Sequence, residues 1–265
     1  MTRSPTGIEV TDDTAVRVIT FTRPERRNGM DLRMFRAYYD ALADAAADPA
    51  VRAVVITGAG GSFCSGATPD LLAELAGGEG REALVATLGH VPHLPLTLGK
   101  PLIAAINGGA AGLGLVHALY ADVRFMAHDA RLSTVFSRFG LVAEYGAAWL
   151  LPRQIGVANA LDLLLSSRTV TAEEALRLGL VQHTAARGAV LETALDYARA
   201  LVGTCSPTAM AVIKRQVWNG LQQDAATAAE EAVTLMARSF ELPDLKEAVT
   251  AVRERRKPRF APYSG

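Results

Sequence analysis

Two apolar runs, residues 51–57 (VRAVVIT) and 102–106 (LIAAI), constrain this chain most, because each ends in a glycine-rich bend that leads into a helical pattern. Short runs of this composition suit strands covered on both faces, as in a buried parallel sheet. A helical period precedes the first run. From Asp31, an N-cap residue type, Leu32, Phe35, Tyr39 and Leu42 recur at helical spacing until Asp48 and Pro49 stop the helix. After the second bend, residues 115–120 read as helix and residues 123–126 as a further strand. The repeat of strand, bend and helix predicts an α/β protein.

Residues 8–11 and 16–22 are β-rich and flank Asp12 and Asp13, which predicts a hairpin at the start. After about Trp149 the pattern is mostly helical. Thr171 with Glu174 forms a capping box closed by Gly179, and Ser206-Pro207 opens a helix carrying Met210, Ile213, Val217 and Leu221. Helices over 224–240 and 244–257 follow. The expected organisation is a β/α core at 1–200 and a helical C-terminal region at 201–265. Glycines at 77, 78 and 80 and the Pro/His/Gly-punctuated stretch up to Lys100 predict a mobile segment over a site.

Composition removes several function classes. No uncharged apolar run approaches the ~18–20 residues of a membrane span, and residues 1–5 lead into no signal-peptide core, so a cytoplasmic location is expected. Lys plus Arg equals Asp plus Glu at 27 each, which leaves no net field for nucleic acid or an anionic membrane. Cys64 and Cys205 form no CxxC pair, and His90, His93, His117, His128 and His183 form no HExxH arrangement, so no metal is expected. Each histidine is read as a surface or satisfied core residue.

The bends carry the chemistry. At a helix start several backbone N–H groups lack internal partners and the helix dipole adds partial positive charge, which suits a developing oxyanion. Ser65-Gly66-Ala67 and Gly112-Leu113-Gly114 would let a ligand oxygen approach the main chain. Neither bend matches a Walker or dinucleotide fingerprint. Tight-turn glycines alone would explain either bend; two in equivalent positions point to a paired donor site.

Residues 53–67 (AVVITGAGGSFCSGA), and residues 100–108 (KPLIAAING) followed by Gly112-Leu113-Gly114, resemble the two signatures of the enoyl-CoA hydratase/isomerase, or crotonase, superfamily. Arg23-Pro24 with Asn28, and residues 150–156 (LLPRQIG), add matches in the correct order. The resemblance implies a crotonase-like spiral of β-β-α units with a C-terminal helical trimerisation region, assembled as a homotrimer or a dimer of trimers. It also implies an acyl-CoA thioester substrate, with no cofactor beyond the CoA carried by that substrate. By the resemblance the oxyanion donors are the N–H groups of Ala67 and Leu113; leucine stands where glycine is usual. Ser65, Gly66, Gly112 and Gly114 surround them, and Arg26, Arg27 and Arg255 are candidates for the CoA phosphates.

Hydratases of this family use two glutamates, and here Val116 and Phe136 occupy those places against the acyl pocket. One acid remains nearby: Glu144, in the apolar, glycine-flanked segment 139–146, resembles the position of the catalytic aspartate of dienoyl-CoA isomerases. A surface glutamate paired with Arg138 or Arg153 is the competing reading. Thr68-Pro69 replaces the acid usual after the oxyanion alanine; Asp70 is read as a helix cap that could assist. A lone carboxylate can shuttle a proton for double-bond isomerisation, or activate water for hydration. Thioester hydrolysis, decarboxylation, C–C cleavage, and silent acyl-CoA or RNA binding are the alternatives on the same fold.

Overall fold

The first apolar run becomes β3 (Ala53–Gly58), buried along its whole length at the centre of a six-stranded sheet. The structure, a computed structural model, describes residues 5–78 and 93–263. In the order β1-β2-β3-β5-β7-β10, β1 (Ile8–Asp13) pairs antiparallel with β2 (Val16–Phe21). β3, β5 (Leu102–Ile106), β7 (Val123–Ala127) and β10 (His183–Ala185) continue in parallel. The opening hairpin forms as expected, but Asp12 and Asp13 belong to the ladder, opposite Arg17 and Val16. The turn falls on Thr14, whose φ of 59° is left-handed, and Ala15.

The glycine-rich bends are not plain loops. Each contains a three-residue strand, β4 (Ser62–Cys64) in the first and β6 (Gly109–Ala111) in the second. With β8 (Arg131–Ser133) and β9 (Val170–Thr171) these make a second sheet in the order β4-β6-β8-β9. Each turn of the chain therefore lays one long strand in the first sheet, one short strand in the second, and then a helix. The units are β3-β4 with the helix Pro69–Ala76, and β5-β6 with the helix Leu113–Leu119. This is the β-β-α spiral. Such short strands escape a sequence reading because three residues give no measurable alternation.

Capping behaves as the sequence indicates. The Asp31 carboxylate accepts from Met34 N–H at 2.8 Å and opens the helix Leu32–Ala47, which buries Met34, Phe35, Tyr38, Tyr39 and Leu42 against the hairpin side of the sheet. Thr171, Ser206 and Asp224 cap their helices in the same way. The helix Val190–Thr204, which runs through residue 200, packs on β3, β5 and β7. Beyond it, the helices Pro207–Gly220, Ala225–Glu241 and Pro243–Arg253 leave Ile213, Val217, Val233, Met236, Phe240, Val249 and Val252 exposed.

His117 is a correction to the sequence reading. It is fully buried in a cage of Phe21, Phe35, Tyr38 and Tyr39, with ring centroids 4.5–6.3 Å away, yet both ring nitrogens lack a partner among the described residues. Burial pulls its pKa down to about 3, so the ring is neutral at physiological pH and acts as an aromatic packing element. The predicted mobile segment falls largely on residues 79–92, and His90 with it; these lie outside the described residues. Among the described residues no helix is long and apolar enough to cross a membrane. No group of three His, Cys, Asp or Glu side chains gathers there to hold a metal.

Candidate active site

Two buried asparagines shape the first bend. Asn28, with a left-handed φ of 57°, accepts from Arg23 N–H at 2.9 Å and donates to the carbonyls of Ala59 and Ser62 at 3.0 and 2.8 Å. Asn107 grips the bend from the other side, donating to Gly58 and Gly60 carbonyls at 2.7 and 3.0 Å and accepting from Gly58 N–H at 3.2 Å. Both residues stand in the sequence motifs, but their stapling of one loop across 31 and 49 positions has no local signature. Asn28→Ala leaves two carbonyls and an N–H to find new partners in a buried site. It is expected to lower unfolding free energy by ~3 kcal/mol, measurable by denaturant titration.

The two bends then meet. Met30 N–H donates to Gly66 carbonyl at 2.8 Å and Thr68 N–H to Met30 carbonyl at 2.9 Å, which turns the intervening Ala67 N–H away from this bridge. A Cβ on Gly66, where φ is +89°, would sit 3.2 Å from the Leu113 nitrogen and 2.8 Å from the Ala111 carbonyl oxygen. Only glycine allows this approach. Among the described residues neither the Ala67 nor the Leu113 N–H donates to a protein acceptor.

Both residues line one cavity of about 800 Å³, together with Arg26, Arg27, Ser65, Gly66, Asp70, Gly112, Phe136 and Glu144. Ten of the thirteen sequence-predicted site residues are thereby brought together. Leu72, Phe139 and Leu141 make much of the remaining wall apolar. Val135 also lines it, with a left-handed φ of 54° that is rare for a β-branched residue. Nothing in the sequence marks that strained position.

Three predicted residues lie elsewhere. Gly114 packs behind the wall: a Cβ there would come within 2.1 Å of the Cys64 carbonyl oxygen, so its role is to let the helix Leu113–Leu119 close on β4. Val116 points into the core, 1% exposed, and does not line the cavity. Arg255 follows the last helix at the surface and does not line the cavity of its own chain. Asp70 is not the helix cap expected of it. Thr68 caps the helix by accepting from Leu71 N–H at 3.3 Å, with Pro69 at the first helical position, while Asp70 pairs with exposed Arg26 at 3.1 Å at the cavity mouth.

The Glu144 carboxylate has no hydrogen-bond or ionic partner among the described residues. The arginines that could have claimed it do not: Arg153 stacks over the Trp149 ring at 4.1 Å and donates to the Trp149 carbonyl at 3.1 Å, and no contact joins Arg138 to Glu144. Burial among apolar groups raises its pKa above the ordinary carboxylate value. Cys64, by contrast, is an inert buried thiol, pushed up to about 12 by desolvation. A second cavity of about 520 Å³ begins at Tyr120 and Gly146 and is lined by Trp149, Trp218 and Lys214, but it holds no carboxylate and none of the predicted site residues.

An enoyl-CoA hydratase/isomerase family model matches residues 11–262. The chain is 38% identical over 228 residues to "Probable enoyl-CoA hydratase echA12" of Mycobacterium leprae, covering 83% of this chain and 77% of that protein. It is 32% identical over 244 residues to "Short-chain-enoyl-CoA hydratase" of Clostridium acetobutylicum, covering 91% and 92%. The crystal structure of an enoyl-CoA hydratase from Bacillus anthracis matches with a TM-score of 0.89 at 27% identity, over 96% of this chain and 99% of that one. Matches of this length run through both bends, the spiral and the helices after it, and so the chain belongs to the enoyl-CoA hydratase/isomerase family of acyl-CoA enzymes.

Proposed function

We propose that the protein acts on the C=C bond of an enoyl-CoA thioester, holding the carbonyl oxygen with the N–H groups of Ala67 and Leu113 and moving the proton with Glu144. The observation that carries this reading is the convergence, in one cavity, of two backbone donors and one carboxylate of raised pKa, none of them with a partner among the described residues. Removal of a proton from C2 of a 3-enoyl thioester leaves a dienolate with its charge on the thioester oxygen, where two fixed donors stabilise it most. Return of the proton to C4 completes a double-bond shift. Phe136 in the wall and Val116 in the core, where hydratases of the family carry carboxylates, favour this shuttle over an arrangement that holds water between two acids.

Arg26 and Arg27 at the mouth suit the CoA phosphates, and the apolar wall of Leu72, Phe136, Phe139 and Leu141 suits the acyl chain. Hydration is the second reading, favoured by the names of the hydratase relatives. Incubation with 2- and 3-enoyl-CoAs in D₂O separates the two. A double-bond shift interconverts the 2- and 3-enoyl isomers, with deuterium entering only as far as the proton on Glu144 exchanges with solvent, whereas hydration adds the mass of water. Neither change with any chain length would overturn the reading. The exposed apolar faces of the last three helices support assembly of several copies, and light scattering of the purified protein is expected to give a trimer or a hexamer.

A further inference from the structure

The geometry points to Tyr120 as the positioning residue that sets where the Glu144 carboxylate stands relative to the donor pair, an inference that rests on the reading of Glu144 as the acid/base. Tyr120 is 4% exposed and sits at the C-cap of the helix Leu113–Leu119. Its hydroxyl donates to the carbonyl of Tyr145 at 2.8 Å, one residue beyond Glu144. The same short helix therefore presents a candidate oxyanion donor at its first residue and grips the turn that carries the carboxylate at its end. Seven residues of helix span only ~10 Å, and a segment that short behaves as a rigid strut.

The turn it grips would not hold its shape unaided. Tyr145 has a left-handed φ of 47°, and Gly146 follows with φ of 84°. For a bulky residue that conformation is strained and persists only where its surroundings over-determine it. Three contacts do so. The Tyr145 ring packs on Phe35 with centroids 5.4 Å apart, Ala147 N–H closes the turn on the Glu144 carbonyl at 2.9 Å, and Tyr120 holds the Tyr145 carbonyl. Gly146 is fitted to this last contact, since a Cβ there would lie 2.6 Å from the Tyr120 hydroxyl oxygen. Gln154 braces the strut by donating to the Leu119 carbonyl at 2.8 Å.

Tyr120→Phe keeps the ring and removes the hydroxyl, and Gly146→Ala keeps the hydroxyl but displaces it. Each is expected to lower kcat on an enoyl-CoA about tenfold, with KM within twofold of the parent. Each is also expected to shift the rising limb of the pH–rate profile toward the ordinary carboxylate value as Glu144 gains solvent. Besides Glu144, the titratable groups around that turn are Tyr145, Tyr120 and Tyr39, with Glu25, Arg26, Arg27 and Asp70 lining the cavity on the Glu144 side and His93, Lys214, Arg215 and Tyr263 lining the cavity on the Gly146 side. In a Glu144→Gln background Tyr120→Phe should have no further effect. A parental kcat and pH limb in folded Tyr120→Phe, beside an inactive Glu144→Gln, would overturn the inference while leaving Glu144 in place. A loss that is equal with and without Glu144 would make Tyr120 merely structural. Parental turnover in Glu144→Gln would remove the reading beneath both.

Discussion

Glu144→Gln is expected to lower turnover of an enoyl-CoA by ~10²–10⁴ while leaving KM nearly unchanged, because a positioned proton carrier contributes in the transition state and little to substrate binding. No neighbour can take over. The other carboxylates lining the cavity, Glu25 and Asp70, stand at its mouth, and Asp70 is tied to Arg26. Glutamine keeps the size of the protonated acid, so the fold should survive. Stability is expected to move in the opposite direction. Burial raises the pKa of Glu144 in the folded state, so the native protein holds this proton to higher pH than the unfolded chain does. That linkage stabilises fully below the unfolded-state value and is lost as pH rises through the folded-state value. In neutral buffer the variant should therefore unfold at higher denaturant than the parent, and the two should converge in acid. Parental turnover in a folded variant would show that another group moves the proton.

Gly114→Ala should unfold the protein at lower denaturant by ~3 kcal/mol or more, and bring activity down with it. Helix propensity alone predicts the reverse, since alanine is favoured over glycine in a helix by ~1 kcal/mol. The close contact decides. A Cβ at 114 would lie 2.1 Å from the carbonyl oxygen of Cys64 and 2.7 Å from its carbonyl carbon, and backbone on a buried strand cannot rotate aside as a side chain would. Relief requires the helix Leu113–Leu119 to lift from β4. That motion carries the Leu113 nitrogen away from Gly66 and Ala67, so the donor pair separates as the fold loosens. Thermal unfolding, with a drop of roughly 10 °C in Tm, and activity at low temperature would register both effects. A variant as stable and active as the parent would mean that the two bends do not meet as described.

These two residues show where local pattern stops informing. Glu144 is legible because it is the lone acid in an apolar, glycine-flanked segment, and the donor bends are legible because glycine clusters directly after apolar strands. Asp31, Thr171 and Ser206 are legible as caps because a cap bonds only three residues along the chain. Val116 and Arg255 matched family positions yet do not line the cavity of this chain. Asp70 was expected to cap a helix that Thr68 caps instead, since a hydroxyl one place before Pro69 is already at the N-cap. Strands β4 and β6 were hidden inside the bends, being too short to alternate visibly.

By itself the sequence determined the alternation of strand and helix, the helix starts at Asp31, Thr171 and Ser206, the two bends and the acid that faces them, because each depends on neighbours within a turn or two of chain. The tertiary structure alone decided that Gly66 lies against Leu113, that Asn28 and Asn107 clamp one loop, that Tyr120 holds the turn after Glu144 and that His117 is caged by aromatic rings. Those contacts join residues from 25 to 96 positions apart, and a chain records such pairings only in the way its strands and helices close on one another.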